Sequence, residues 1–348
     1  MKISILLPYK ENFSPSYPGA ISIFLKNTIL KSKYKKMINV YGNTKFQKKL
    51  TNNYVNLDFK RSFFKSSTKS YLDKFIEKEI KNKSDIIEVH NRPKYINKLS
   101  KYFDNLVLFF HNDPIDMTNS KSASDRIELL NKTKKIIFNS SWTKKRFLLN
   151  LKLNKTQKNK LQIIYQSTNK VKISLSNKKN NIIFVGRLNK SKGYDVFGKS
   201  IIKILDKYIN WRATVIGDEP REKLSFKHKN LNILGFRKHD FTLNELGKSS
   251  ICVVCSRWEE PFGRIALEAS SRGCAVIITN KGGLKEAATD PLIINKLNEK
   301  TLYNALNKLI ANNRLRKKMQ ICSLKNFYLT NEFISNKIDS CRNGIFKS

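Results

Sequence analysis

Residues 182–193 read Ile-Ile-Phe-Val-Gly-Arg-Leu-Asn-Lys-Ser-Lys-Gly. Four consecutive apolar residues end at a glycine, and a polar loop follows. An uninterrupted Val/Ile/Leu/Phe run marks a strand covered on both faces, as in a parallel sheet. Predominantly apolar runs follow at 214–216, 231–234, 251–254 and 275–278, and precede it at 3–7, 86–89, 106–110 and 136–138. Segments of helical length separate them, which is the alternation of α/β folds. A Lys/Asn/Ser/Thr-rich stretch at 153–181, broken only by 161–165, has the composition of a linker or hinge. With 348 residues the chain exceeds one ordinary core. The expectation is two doubly wound Rossmann-like domains, 1–170 and 171–330. A terminal segment, 331–348, has apolar positions at Phe333, Ile334, Ile338 and Ile345, a helical pattern expected to pack back on the first domain. Ligands of such sheets lie at the carboxyl ends of the strands, here in a cleft between the domains.

The loop after 182–185 carries the first chemistry. Gly186 permits close backbone approach, and Arg187 and Lys192 put two cations at the same strand end. Such a pair neutralises a diphosphate without a metal, and the chain contains no Asp-x-Asp. A second constellation is Glu-Pro-Phe-Gly-Arg-Ile-Ala-Leu-Glu, residues 260–268. Pro261 and Gly263 punctuate a helix start, so Glu260 falls in the loop before the helix and Glu268 one to two turns inside it. The N–H groups of Phe262, Gly263 and Arg264 then crown the helix and face an oxygen-rich ligand. Two carboxylates around such donors suit a polyhydroxylated molecule, because each accepts bidentate hydrogen bonds from neighbouring hydroxyls.

Bulk composition excludes several classes. Hydrophobic residues make up 40% of the chain, enough for packed cores. No apolar run has the length of a membrane span, and the opening apolar stretch is shorter than a secretion signal. A cytoplasmic protein is therefore expected. Five cysteines make no disulfide framework, and Cys252 and Cys255 read as core positions of a buried strand. The net charge is +41. Residues 1–170 carry 35 Lys and Arg against 12 Asp and Glu, and residues 171–348 carry 33 against 15. A surplus spread over both halves, mostly as lysine, is a compositional bias rather than the basic stripe of a nucleic-acid binder. It still favours phosphorylated substrates and anionic membrane surfaces. The run Lys60-Arg61-Ser62-Phe63-Phe64-Lys65 is the candidate for peripheral membrane contact.

Six blocks in order carry a resemblance: Phe184-Val185-Gly186-Arg187-Leu188 with Lys192-Gly193, Val215-Ile216-Gly217-Asp218, Leu234-Gly235, Trp258-Glu259-Glu260-Pro261-Phe262-Gly263, Glu268, and Gly282-Gly283-Leu284-Lys285-Glu286. About residues 180–290 resemble the retaining glycosyltransferases of family four, whose GT-B architecture has two facing Rossmann-like domains. The resemblance implies that Arg187 and Lys192 hold the diphosphate of a nucleoside-diphosphate-sugar donor. It implies that Glu268 takes the ribose hydroxyls, and that Glu260 with the backbone of Phe262 and Gly263 addresses the transferred sugar. Backbone at Gly235 and Phe236 receives the base. No metal and no cofactor are implied. The acceptor is a hydroxyl of a glycan or lipid-linked glycan, in the synthesis of lipopolysaccharide, capsule or another cell-surface polysaccharide.

In the first half, Gly19 precedes the apolar segment 21–30, where relatives often carry paired glycines near the donor phosphates. His111, after the run 106–110, matches a cleft-facing histidine of the family, and His90 is a second candidate at another strand end. His228 and His239 lie in polar surroundings and receive no role. Readings of another kind are a non-catalytic basic protein that binds nucleic acid or a membrane surface, and a GT-B epimerase or phosphorylase.

Overall fold

A computed structural model describes residues 1–59 and 66–347; the basic run Lys60 to Lys65 lies outside the described residues. The chain divides into two compact units, Met1–Ser167 with Asn331–Ser348, and Thr168–Thr330. The first is built on strands β1 (Ile3–Leu6), β2 (Ile38–Gly42), β3 (Tyr54–Asn56), β4 (Ile86–His90), β5 (Leu106–Phe110), β6 (Lys135–Phe138) and β7 (Leu161–Ile163), in the sheet order β3-β2-β1-β4-β5-β6-β7. The second is built on β8 (Lys179–Val185), β9 (Arg212–Ile216), β10 (Leu231–Ile233), β11 (Ser249–Val254), β12 (Ala275–Thr279) and β13 (Leu292–Ile294), in the order β10-β9-β8-β11-β12-β13. All pairings within both sheets are parallel. Two doubly wound α/β units are thus present, as the apolar runs require.

The runs are strands because both faces are covered. Every residue of β1, β4, β5 and β12 is buried. Each sheet reverses its winding beside its first strand, at β1/β4 and at β8/β11. At such a switch point the loops diverge and leave a crevice at the carboxyl edge. The loops after β8 and β11 leave from that edge, and so do those after β1, β4 and β5.

The reading of 153–181 as linker is corrected in part. Asn154 and Gln157 form a capping box that starts the short helix Lys155–Asn159, and β7 closes the edge of the first sheet. A three-residue edge strand is too short to show a period, so its polar flanks dominate the local composition. The terminal segment forms the helix Asn331–Phe346, with Ile334, Ile338 and Ile345 buried as expected and Phe333 39% exposed instead.

That helix is tied to the first unit by charge as well as by apolar packing. Arg342 grips Glu88 of β4 through two bonds, Nε–Oε1 at 2.7 Å and Nη2–Oε2 at 2.9 Å, and also pairs with Asp339 at 3.0 Å. Asp339 accepts from the Ser32 hydroxyl and the Lys33 N–H. Burial alone pushes the Glu88 carboxyl up, but Arg342 and His90 outweigh it and hold it down at about 2. Removing one member of such a pair strands a buried charge, at a cost of about 3–5 kcal/mol. We expect Arg342→Met to destabilise the chain by about that amount in urea denaturation. Because the folded Glu88 lies below its unfolded value, its stabilisation is complete above about pH 4.5 and fades as the pH falls towards 2. The Glu88→Gln variant should lack that part of the acid dependence.

Candidate active site

Two loops at the switch point of the second sheet are stitched together by backbone. After β8, Asn189 caps a short turn by accepting from Lys192 N at 3.0 Å, and this sets the direction of the Lys192 side chain. Ser191 O accepts from Arg257 N at 2.8 Å, Trp258 N at 3.1 Å and the Ser256 hydroxyl at 3.2 Å, all from the loop after β11. Arg257 in turn holds Asp195 bidentately, at 2.6 and 2.9 Å. Gly193 has φ +73°, and a Cβ there would lie 2.0 Å from Cys255 O, so only glycine lets the loops approach this closely.

The result is a cavity of about 160 Å³ lined by Gly186, Lys192, Ser256, Glu260, Gly263 and Arg264. Lys192 Nζ and Glu260 Oε1 form an ion pair at its wall. The residue assigned to the diphosphate and the residue assigned to the sugar are therefore in direct contact. Arg187 is exposed on the same loop and makes no ion pair among the described residues. Phe262 is buried, while Phe236 is exposed beside Gly235.

Gly263 precedes the helix Arg264–Ser271, and no side chain caps that end. Its first N–H groups are therefore open to a ligand oxygen. Glu268, one turn further on, is buried. Its Oε1 is shared by Arg264 Nε at 2.7 Å and His239 Nε2 at 2.8 Å. Burial would raise the Glu268 carboxyl, but Arg264, His239 and Arg272 together bring it below its ordinary value, so it is a carboxylate. Glu268 Oε2 and both terminal nitrogens of Arg264 are buried with no hydrogen-bond partner among the described residues, and Arg264 Nε meets Oε1 as an ion pair without a hydrogen bond. An acceptor and two donors left open side by side suit a ligand that both gives and takes hydrogen bonds.

Sequence reasoning passed over His239. It opens the helix His239–Lys248, and only the tertiary fold brings it to Glu268. Gly282 and Gly283 also do more than turn the chain: Gly283 N donates to Glu260 O at 2.7 Å, and a Cβ on Gly282 would stand 2.1 Å from that same oxygen. Cys252 and Cys255 are buried and unpaired, and burial pushes the Cys255 thiol up to about 12.

In the first unit, Gly19 starts the helix Ala20–Ile29, and the anion at that helix start is the carboxylate of Glu11. Glu11 Oε1 accepts from Ser22 N at 3.0 Å and Ser22 Oγ at 2.9 Å. A Cβ at position 19 would lie 2.0 Å from the same oxygen. His111 follows β5 with its backbone fixed on both sides: its N–H donates to Asn91 Oδ1 at 3.1 Å, and Asn139 Nδ2 donates to its carbonyl at 3.0 Å. His90 lies against it, 3.0 Å from ring nitrogen to ring nitrogen. His228 faces Asp206 at 3.2 Å.

Residues 166–322 match the family model described as glycosyl transferases group 1. Among curated proteins, an uncharacterized glycosyltransferase of Methanocaldococcus jannaschii is 32% identical over 174 residues, 47% of this chain and 48% of its own length. Spore coat protein SA of Bacillus subtilis is 26% identical over 155 residues, 40% of this chain and 41% of its own. The matched part thus spans less than half of these relatives. Among solved structures, Anabaena HepE in complex with UDP and glucose superposes with a TM-score of 0.74 at 16% identity, over 99% of this chain and 100% of that one. WaaG, a glycosyltransferase involved in lipopolysaccharide biosynthesis, gives 0.70 at 14% identity, over 98% and 100%.

The role of the glycine pair is testable. At φ +55° and with Glu260 backbone at 2.1 Å, Gly282→Ala should destabilise the chain by about 1–3 kcal/mol. Gly344→Ala, in a helix with no atom near the new methyl, should be neutral or stabilising by about 0.5–1 kcal/mol. Thermal denaturation of the two variants checks the contrast.

Proposed function

We propose, for a chain with the GT-B fold whose residues 166–322 match glycosyl transferases group 1, that it transfers a sugar from a nucleoside-diphosphate sugar to an acceptor hydroxyl with retention of configuration and without a metal. The observation that carries the reading is the Lys192–Glu260 pair beside the open helix start at Gly263, with the half-satisfied Glu268 next to it. One pocket wall then offers a cation for phosphate, N–H groups for phosphate or sugar oxygens and the Glu260 carboxylate for hydroxyls, with the Glu268 carboxylate one helical turn beyond the lining residue Arg264. A uridine nucleotide is the favoured donor class, since HepE was crystallised with UDP and glucose.

In this reading Arg187 and Lys192 take the diphosphate, and its arrival draws Lys192 away from Glu260. Glu260 is released to the hydroxyls of the transferred sugar. Glu268, held by Arg264 and His239, presents Oε2 to the ribose. As the glycosidic bond breaks, negative charge grows on the leaving phosphate, and the two cations stabilise it; this kind of term is usually the largest in catalysis. The leaving group takes the proton of the attacking hydroxyl on the same face, which retains configuration. His111, in the first unit, is assigned either to contact the donor sugar or to position the acceptor hydroxyl. The likeness to spore coat protein SA and to the fold of WaaG supports a cell-surface glycan as product. The net charge of +41 supports an acceptor or surface bearing anionic groups. No helix among the described residues is long and apolar enough to cross a membrane.

Two substitutions separate the carboxylates. Losing a charge-assisted hydrogen bond costs about 1.5–3 kcal/mol, so Glu268→Gln should weaken uridine diphosphate binding roughly ten- to a hundredfold. Glu260→Gln should leave that affinity nearly unchanged, or raise it by freeing Lys192, while transfer falls. Calorimetry and a product assay, both run in excess chelator, measure the two effects. Equal loss of nucleotide affinity in both variants would refute the division of roles, and turnover that stops in chelator and returns with magnesium would refute the metal-free mechanism.

A further inference from the structure

The buried charge of the first unit does not end at Glu88. Side chains alternate across a strand, so Glu88 and His90 of β4 share one face. On β5 the register partner of His90 is Phe109, and His111 lies two residues beyond it on the same side. His90 stacks on Phe109 at 4.3 Å and 14°, and the ring of His111 meets Phe24 edge-on at 5.5 Å. The rings are therefore held, and a continuous line of polar groups runs from Asp339 and Arg342 through Glu88 and His90 to His111.

The order of protons along that line follows from its fixed end. Arg342 keeps Glu88 ionised. His90 Nε2 is 3.8 Å from Glu88 Oε2, too far for a hydrogen bond but close enough that a lone pair facing the carboxylate would be repelled. Burial holds the His90 ring below its usual imidazole range, so it is neutral at pH 7; its Nε2 therefore carries the single hydrogen, and its Nδ1 is left as an acceptor. The contact of 3.0 Å with His111 must then be donated by His111 Nε2–H. That leaves His111 Nδ1 without a hydrogen, and it is buried with no partner among the described residues. Burial and the neighbouring His90 hold His111 well below the usual imidazole range, so the ring stays neutral at pH 7.

We propose that His90 is a positioning residue: backed by Glu88 and Arg342, it locks His111 in the Nε2–H tautomer and so makes His111 Nδ1 a hydrogen-bond acceptor for a ligand hydroxyl. The last clause rests on the reading of His111 given under Proposed function; the tautomer lock does not. A helix from the far end of the chain thereby sets the hydrogen-bonding polarity of a candidate site residue.

Long-range proton–nitrogen correlation spectra of the full chain, labelled in histidine with nitrogen-15, test the lock directly. At pH 7 His111 should show a protonated Nε2 and a bare Nδ1. His90→Asn, whose Oδ1 grows from the same carbon as the lost Nδ1, should keep that pattern. His90→Phe retains the stack on Phe109 but removes the acceptor, and His111 should become a mixture of both tautomers. A wild-type Nδ1–H signal, or an unchanged spectrum in His90→Phe, would overturn the lock. Turnover of UDP-glucose, read as uridine diphosphate released in excess chelator, supplies the second arm. It should fall about three- to tenfold in His90→Phe, the worth of a neutral hydrogen bond, and recover in His90→Asn. Turnover that ignores a confirmed tautomer change would remove the role in ligand binding. Absence of any transfer in the wild type would defeat the proposed function and leave the spectra to decide the lock.

Discussion

The ion pair between Lys192 and Glu260 is the contact on which the candidate site depends. It joins the loop after β8 to the loop after β11 at the point where the second sheet reverses direction. The backbone supports that pair from every side. Asn189 aims Lys192, Ser191 O collects three donors from the opposite loop, and Gly283 holds the carbonyl of Glu260. A carboxylate and a cation in contact satisfy each other while the pocket is empty, which avoids stranding either charge in a partly buried site. A phosphate competes for the cation and a sugar competes for the carboxylate, so one ligand carrying both groups can replace the pair without loss. This makes the resting contact compatible with binding rather than opposed to it.

Both units solve the problem of buried charge in the same way. In the second, Arg264 and His239 share one oxygen of Glu268 and leave the other open. In the first, Arg342 engages both oxygens of Glu88, and the remaining polarity passes through His90 to His111. The difference has a chemical consequence. A carboxylate with a free oxygen is available to a ligand, whereas a fully engaged one is a fixed reference charge that orders its neighbours.

Much of this was legible in the residues, and the division follows physical lines. Most central strands announced themselves through apolar runs such as 182–185 and 106–110, which suit a strand covered on both faces; the interior strand β2 did not, because Asn39 interrupts its run. Of the three-residue edge strands only β10 was read, from the run 231–234; β3, β7 and β13 were not, since three residues with one solvated side carry little periodic signal. Among site residues, Glu260, Glu268 and Lys192 could be read from local grammar, a helix start or a strand-end loop. His239 could not, because its partner is 29 residues away and the contact exists only after folding. Arg342 was further out of reach: its bond to Glu88 spans 254 residues, and the helical pattern of 331–346 was read for its apolar positions alone.

On the proposed function, the second unit binds a nucleoside diphosphate by cations and helix N–H groups beside two carboxylates. Titration calorimetry of the full chain with uridine diphosphate and with uridine, in excess chelator, measures this most directly. The diphosphate should bind saturably and the nucleoside little, and the diphosphate signal should be lost when Lys192 and Arg187 are both replaced by alanine. At a hundred times its dissociation constant the diphosphate should add about 2.7 kcal/mol of stability. Equal affinity for uridine and its diphosphate, or binding that survives loss of both cations, would contradict it.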